Sequence, residues 1–437
     1  MKKIGMLSLG CAKNLVDSEM MLAMFDPKEF SFTDDPAEAD LILLNTCAFI
    51  EAARKESIDA FFQMLGAKKK GAKIVVLGCL AQRYEDELRK SLPEADLIVP
   101  IKDYQSLPGL LDGLLHEEKK DAIAPMNPLR RVVSTPSYSA YLRISEGCNN
   151  FCSFCAIPYI RGRFVSRPYE EILREAKQLK DSGVKEISLI SQDTTRYGSD
   201  FPNQKPNIAD LLGDLEKIGF YSIRLLYLYP DEISDELIDQ IGRSKIIKHY
   251  FDIPVQCASD HLLKAMNRHG DKAQMMELFH KIRDRVPDAV LRTTLIAGFP
   301  GENEDDVEQT LAFLEEVRFD HLGCFTYSRE EGTAAYKLPD QISEARKEEV
   351  RSLIMERQRH ISYDQAKKHV GETMEGIVTG SDGAKGRYRL RSYWNAPDDI
   401  DGNIYFTSDR PLKEGEIVRV HIDSAFVYDL MGHLAEE

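Results

Sequence analysis

Short apolar runs and amphipathic stretches alternate along the first hundred residues. Residues 2–9, 41–44, 73–77 and 95–100 read as strands, and 17–25 and 48–65 as helices between them. That order predicts a parallel sheet with helices on both faces. The alternation resumes with strands at 140–145, 186–191, 222–228, 249–255, 289–296 and 321–327. Helices are predicted between them at 170–181, 208–218, 234–242, across 260–286 and at 304–317, with Ser234 as an N-cap. Six strands with crossing helices predict a partial (β/α)6 barrel of the TIM kind, two strands short of closure. Residues 342–369 are charge-laced with few breakers and predict one long helix. From residue 371 the period shortens. Runs at 374–378, 387–390, 403–406, 417–421 and 426–429, separated by Gly and Asp clusters, predict a small β-barrel of the oligonucleotide-binding kind. Glu117-Glu118-Lys119-Lys120, followed by prolines at 125, 128 and 136, marks a linker. The expected architecture is α/β, divided into a sheet domain (1–117), a linker (118–138), a barrel core (139–340), a linker helix (341–370) and a β-barrel domain (371–437).

Charge narrows the partners. The 437 residues carry a net charge of −15, which argues against a surface built to neutralise phosphates and favours a basic partner or a small substrate. Residues 371–437 repeat this bias: thirteen Asp and Glu against seven Lys and Arg leave −6. Arg387, Arg389 and Arg391 alternate and so share a face, which leaves local RNA contact open. No apolar run approaches the ~20 residues of a membrane span, and the short apolar start reads as a strand rather than a leader. Eight cysteines without a secretion signal point to a reducing, cytoplasmic setting and to metal or redox use.

Three of those cysteines, Cys148, Cys152 and Cys155, lie within eight residues. Thiolates hold iron–sulfur clusters, and a tight loop can wrap three corners of a 4Fe–4S cube, leaving one iron open. A zinc site is the alternative, although zinc usually adds a second paired motif and none is present. Cys257 and Cys324 each stand alone and are not assigned as ligands. Cys11, Cys47 and Cys79 each follow the carboxyl end of a predicted strand, the edge where open α/β sheets bind ligands. Three thiols at equivalent places predict a second cluster site; three buried structural cysteines are the alternative. Ser191-Gln192-Asp193, Gln256 and Gly298-Phe299-Pro300-Gly301-Glu302 occupy equivalent ends in the second half. They suit cofactor or substrate contacts, or plain capping and turn chemistry. Arg161 and Arg163 read as a solvated pair, with a bidentate carboxylate contact as the alternative.

The spacing CxxxCxxC, with Phe154 before its last cysteine, resembles the signature of the radical S-adenosylmethionine (SAM) superfamily. That resemblance implies that the open iron chelates SAM and that an electron from the cluster cleaves it to a 5′-deoxyadenosyl radical, which takes hydrogen from an unactivated carbon. The whole chain resembles the methylthiotransferases, which join a three-cysteine domain, a radical SAM core and a TRAM domain. Ser8-Leu9-Gly10-Cys11-Ala12-Lys13-Asn14, Ser153-Phe154-Cys155-Ala156-Ile157-Pro158, Ser191-Gln192-Asp193-Thr194, Tyr227-Leu228-Tyr229-Pro230 and Ala396-Pro397-Asp398-Asp399-Ile400-Asp401 are similar to one branch. It modifies an aspartate of the twelfth small-subunit ribosomal protein. The other branch, acting on a tRNA adenosine, is the alternative, and a non-enzymatic two-cluster electron carrier or scaffold is a third reading. The resemblance implies two 4Fe–4S clusters, one on Cys148, Cys152 and Cys155, the other on Cys11, Cys47 and Cys79 and carrying the incoming sulfur. It also implies SAM contacts among Phe154, Ser191, Gln192, Gln256 and Gly298, a reductant and a sulfur source, and no role for a membrane or tRNA. The radical comes from cofactor cleavage, so no side chain is assigned as a catalytic acid or base.

Overall fold

A computed structural model describes residues 1–116 and 123–435. Its first sheet is wholly parallel. Strands β1 (Lys2–Ser8), β2 (Phe30–Thr33), β3 (Leu41–Thr46), β4 (Lys73–Leu77) and β5 (Leu97–Pro100) run in the order β2-β1-β3-β4-β5. The middle strand β3 is buried along its whole length, as a strand covered on both faces must be. The edge strand β2, Phe-Ser-Phe-Thr, is only four residues long and was not predicted. Helix α1 spans Ala12–Leu22 and begins directly after Cys11, five residues before the predicted start. Its Lys13, Asn14, Asp17, Ser18 and Glu19 are all buried. A helix that buries polar side chains carries no apolar periodicity in that stretch, which explains the late prediction.

The second half contributes β6 (Ser139–Arg143), a small antiparallel pair β7 (Ser145–Glu146) and β8 (Val165–Ser166) that brackets the Cys148 loop, and then β9 (Glu186–Ile190), β10 (Ser222–Leu225), β11 (Tyr250–Asp252), β12 (Val290–Ala297) and β13 (His321–Thr326). Parallel sheets β10-β9-β6 and β11-β12-β13 meet at a seam closed by Ile223 N–H to Ile246 C=O and Lys248 N–H to Ile223 C=O, both 2.8 Å. The result is an open six-stranded half-barrel. Helices Ile208–Ile218 and Glu304–Val317 coincide with the predicted ones, each opened by a capping box at Asn207 and Asn303. Ser234 caps the helix Asp235–Arg243 through Leu237 N–H. The stretch predicted at 260–286 is two helices, Asp260–Ala265 and Lys272–Arg285, parted by the left-handed residues Asn267 and Gly270.

Strand residues such as Leu142, Leu189, Ile223 and Leu291 pack under the helices, while Tyr141, Ile190, Leu226 and Val290 point to the opposite face. That second face is closed by α1 through Val16 and Met20, and by the C-terminal barrel through Trp394, Ala396 and Met374. Strands β14 (Thr373–Ser381), β15 (Arg387–Arg391), β16 (Ile404–Thr407), β17 (Ile417–Ala425) and β18 (Leu430–Leu434) close in the order β14-β15-β16-β18-β17. The strand predicted at 426–429 is instead a turn, with Phe426 N–H on Asp429 C=O at 2.8 Å; β18 follows it. The exposed Phe426 and Tyr428 gave that turn its strand-like alternation.

The arginines of β15 are all matched to acids. Arg387 meets Asp382 (2.5 Å), Arg389 meets Asp399 (3.5 Å), and Arg391 meets the buried Glu186 of β9 (2.6 Å). The basic face left open for RNA is therefore internally neutralised. The predicted acidic-basic run at 117–120 lies outside the described residues. The stretch after it is stitched down: Ser134 N–H and Oγ donate to Glu19 at 2.7 and 2.8 Å, and Arg131 Nη1 donates to Glu175 at 2.7 Å. The long helix Glu344–Lys367 runs against β13, capped by Ser343.

Candidate functional site

Cys11, Cys47 and Cys79 follow β1, β3 and β4 at the sheet's carboxyl edge, and Asn14 ties their three loops together. Its Nδ2 donates to Leu9 C=O and Thr46 C=O, both at 2.9 Å, while its Oδ1 faces Cys79 Sγ at 3.6 Å. Gly10, at φ +88°, lies so close to Cys47 that a Cβ there would meet Cys47 Cβ at 2.7 Å and Sγ at 2.9 Å. Gly78, at φ +89°, packs as tightly on Asn45 and Thr46. These two approaches draw neighbouring thiol loops together, and only glycine permits them. Gly10→Ala should accordingly lower the iron bound after anaerobic reconstitution, measured per chain, although it removes no thiol. Unchanged iron would show that this approach is not needed.

The Cys148 loop leaves β7 and returns to β8. Gly147, at φ +74°, lets the chain pass within van der Waals contact of Arg163 C=O. Cys148 N–H donates to Gly162 C=O (3.2 Å), Ser153 N–H to Met266 C=O (2.8 Å), and Asn150 Nδ2 to Asp193 Oδ2 (2.8 Å). Asp193 is thus a buried anchor of this loop rather than a helix cap. Asn150 N–H points at Cys148 Sγ (3.5 Å), Arg268 Nη1 at Cys152 Sγ (3.9 Å), and Tyr229 Oη lies 3.7 Å from the same sulfur.

Burial pushes the Cys148 thiol up to about 11 and Cys79 up to about 12, and raises Cys47 and Cys155 as well. Cys11 is the exception. Crowding by protein raises it, but the charges of Lys13 and Arg161 outweigh that and lower it. Cys11 is exposed to solvent, unlike Cys47 and Cys79, which are buried. Buried thiols held in the protonated form are matched by a cationic centre that binds them as thiolates and releases their protons. Among the described residues no three His, Cys, Asp or Glu side chains are spaced to grip a single metal ion. Each triad supplies three soft donors, and both fit a cluster in chemistry.

Between the triads lies a buried ion network that sequence reasoning missed. Asp17 of α1 accepts from Arg143 (2.5 Å) and Arg161 (2.8 Å). Glu146 of β7 accepts from the same two arginines at 3.0 and 3.2 Å. Arg161 also donates to Asn14 Oδ1. Arg161 is therefore not a solvated partner of Arg163. Its neighbour Arg163 stacks over the Phe151 ring, 4.2 Å from its centroid. The network continues outward: Gln192 Nε2 donates to Glu146 Oε1 at 2.8 Å. A chain of polar contacts thus runs from the end of β9 to Cys79.

Of the other predicted contacts, Ser191 is buried and bonds Ser145 Oγ and Asp193 C=O. Phe154 is half-buried against the barrel core. Gln256 sits at φ +73°, with its N–H on Thr294 C=O. Gly298 N–H donates to Glu302 Oε2 at 2.8 Å, and Lys347 fills the space beside it. Burial pushes the Glu302 carboxyl up to about 7. A carboxyl raised in this way holds its proton more tightly folded than unfolded, so stability falls as pH climbs from the ordinary carboxylate range to about 7. Glu302→Gln keeps the acceptor without the charge. Its melting temperature should exceed that of the parent at pH 8, with the gap closing below about pH 5.

Three family models match the chain: "Uncharacterized protein family UPF0004" over residues 3–100, the radical SAM superfamily over 142–314 and the TRAM domain over 370–434. Curated relatives match end to end. The "Ribosomal protein uS12 methylthiotransferase RimO" of Desulforamulus reducens is 44% identical, with all of both chains covered. The protein of that name from Clostridioides difficile is 45% identical, again over all of both chains. Among solved structures, the radical SAM methyltransferase TsrM from Kitasatospora setae, with cobalamin and a [4Fe-4S] cluster bound, superposes with a TM-score of 0.54 at 13% identity. That match covers 89% of this chain and 81% of TsrM and shows shared fold.

Proposed function

The chain belongs to the RimO family of ribosomal protein uS12 methylthiotransferases, and on that premise we propose that it transfers a methylthio group to the β-carbon of an aspartate of uS12. The observation that carries this reading is the placement of two three-cysteine sets on either side of one buried polar network. Cys148, Cys152 and Cys155 are assigned to one 4Fe–4S cluster, and Cys11, Cys47 and Cys79 to the other. When bound, these clusters and SAM supply the radical that removes hydrogen from carbon and the sulfur that replaces it.

The chain's own residues bind, orient and insulate. Asn150, Asp193 and Ser191 fix the first loop on the end of β9. Asn14 and the two glycines fix the second set on the first sheet. Arg161, Asp17 and Glu146 lock one against the other. Phe154, Ser191, Gln192, Gln256 and Gly298 remain our candidates for contacts to SAM. The acidic C-terminal barrel suits a basic protein, and its internally paired arginines do not suit phosphate. The reaction also takes a reductant and a sulfur source. We place it in the cytoplasm, where uS12 is made; among the described residues no helix is long and apolar enough to cross a membrane.

The test is mass analysis. Purified uS12, incubated anaerobically with reconstituted enzyme, SAM, sulfide and reductant, should gain one methylthio group in place of hydrogen on a single aspartate. Unmodified uS12 beside methylthiolated tRNA in a parallel reaction would overturn the assignment in favour of the tRNA branch.

A further inference from the structure

We propose that Lys13 receives the side-chain carboxylate of the aspartate that is modified, and so sets the preference for an acidic target. This deepens the reading above and rests on it.

Lys13 occupies the first turn of α1, two residues after Cys11, and only 7% of it is exposed. Among the described residues no carboxylate or carbonyl accepts a hydrogen bond from its ammonium. Its Nζ instead stands over the Tyr227 ring, 3.5 Å from the centroid. Taking most of an ammonium out of water without a carboxylate partner is costly, and a cation–π contact returns only part of that cost. The other cations nearby are matched. Arg143 and Arg161 share Asp17 and Glu146, and Arg292 meets Asp252 at 2.8 Å and Asp401 at 3.1 Å. Arg268 is held by Pro254 C=O at 2.6 Å. Like Arg268, which lies 4.1 Å over the Tyr229 ring, Lys13 has an aromatic face and no carboxylate partner among the described residues; unlike Arg268, it meets no carbonyl oxygen either.

The ring beneath it is held there against local preference. Tyr227 adopts φ +63°, a left-handed conformation that is strained for a bulky residue. Its N–H is pinned to Asp252 Oδ2 at 2.9 Å. Two residues on, Tyr229 Oη reaches Cys152 Sγ. One strand-end turn after β10 therefore touches both halves of the site: Tyr229 meets the radical SAM triad, and Tyr227 carries the lysine beside Cys11. The ammonium is not among the sealed atoms that lack partners, so it keeps some contact with solvent. A carboxylate entering there would supply the missing counter-ion, with the carbon next to it lying between the two triads.

The experiment uses the reconstituted holoenzyme with SAM and fluorescently labelled uS12, in which the modified aspartate found by mass analysis is kept or replaced by asparagine. A hydrogen-bonded charge pair is worth about 1.5–3 kcal/mol, or roughly ten- to hundredfold in affinity. The parent enzyme should bind the aspartate form at least about tenfold more tightly than the asparagine form. Lys13→Met and Lys13→Gln should bind both forms alike, at the level of the asparagine form, and Lys13→Arg should keep part of the preference. Iron per chain shows whether each variant retains its clusters. A preference that survives in Lys13→Gln, or that is missing from the parent, overturns the proposal even if uS12 is methylthiolated. If uS12 is not modified at all, the functional reading fails and this proposal falls with it.

Discussion

Replacing Cys148 with alanine abolishes both 5′-deoxyadenosine release and methylthiolated uS12, whereas replacing Cys79 with alanine abolishes only the second. Both effects should exceed about a hundredfold, because loss of a partner one shell outside a metal ligand already costs 10–100-fold. The split follows from where each thiol sits. Cys148 belongs to the loop anchored on the half-barrel by Asn150, Asp193 and Ser153. None of those anchors involves the first sheet, so SAM cleavage survives damage on the other side. Cys79 opens a helix on the first sheet, facing Asn14. Its loss leaves the half-barrel loop intact and removes a donor from the triad we assign to sulfur delivery. Quantifying both products by mass spectrometry from one reaction checks this. Parallel loss in both variants would mean that the two triads act as one site.

Arg161→Met should be the most destabilising single change outside the cysteines. The guanidinium is buried against Asp17, with Glu146 partly exposed beside them, and its companion Arg143 must then balance both carboxylates by itself. Breaking a buried pair by removing one member costs about 3–5 kcal/mol, since the charge left behind has neither partner nor water. The denaturant midpoint of the anaerobic protein should fall accordingly. Arg161→Lys should rescue little, because a single ammonium cannot reach Asp17, Glu146 and Asn14 together. Adding Asp17→Asn to Arg161→Met should recover part of the loss, which identifies the cause as the stranded charge. Equal midpoints for Arg161→Met and the parent would contradict this account of the interface.

Much of this was legible in the chain, for identifiable reasons. Continuous apolar strands such as β3 and β4 are what a doubly covered parallel sheet requires, and they placed Cys47 and Cys79 at strand ends. Ser234 announced a helix start through its cap, while the capping boxes at Asn207 and Asn303 emerged only with the structure. The failures share one physical origin. Helix α1 buries its polar face against the half-barrel, so its beginning has no apolar rhythm. Arg161 is a surface-type residue whose partners, Asp17 and Glu146, lie 144 and 15 positions away, and no local pattern encodes that meeting. Arg387, Arg389 and Arg391 do share a strand, but their acids come from three different segments, which turned an apparent RNA face into an intramolecular one. The Asn14 signal was present in Gly10-Cys11-Ala12-Lys13-Asn14, yet its job of joining three loops emerges only once β1, β3 and β4 lie side by side.

The central claim is that two separate cysteine triads each hold a cluster and share one cleft. Iron and acid-labile sulfide, counted per chain in the anaerobically reconstituted parent and in the two triple-alanine variants, test it most directly. The account predicts a double cubane load in the parent and a single one in each variant, with the parent's electron paramagnetic resonance spectrum differing from the sum of the two variant spectra because the clusters lie close. A parent holding one cluster's worth of iron, lost entirely when Cys148, Cys152 and Cys155 are replaced and unaffected when Cys11, Cys47 and Cys79 are, would contradict it.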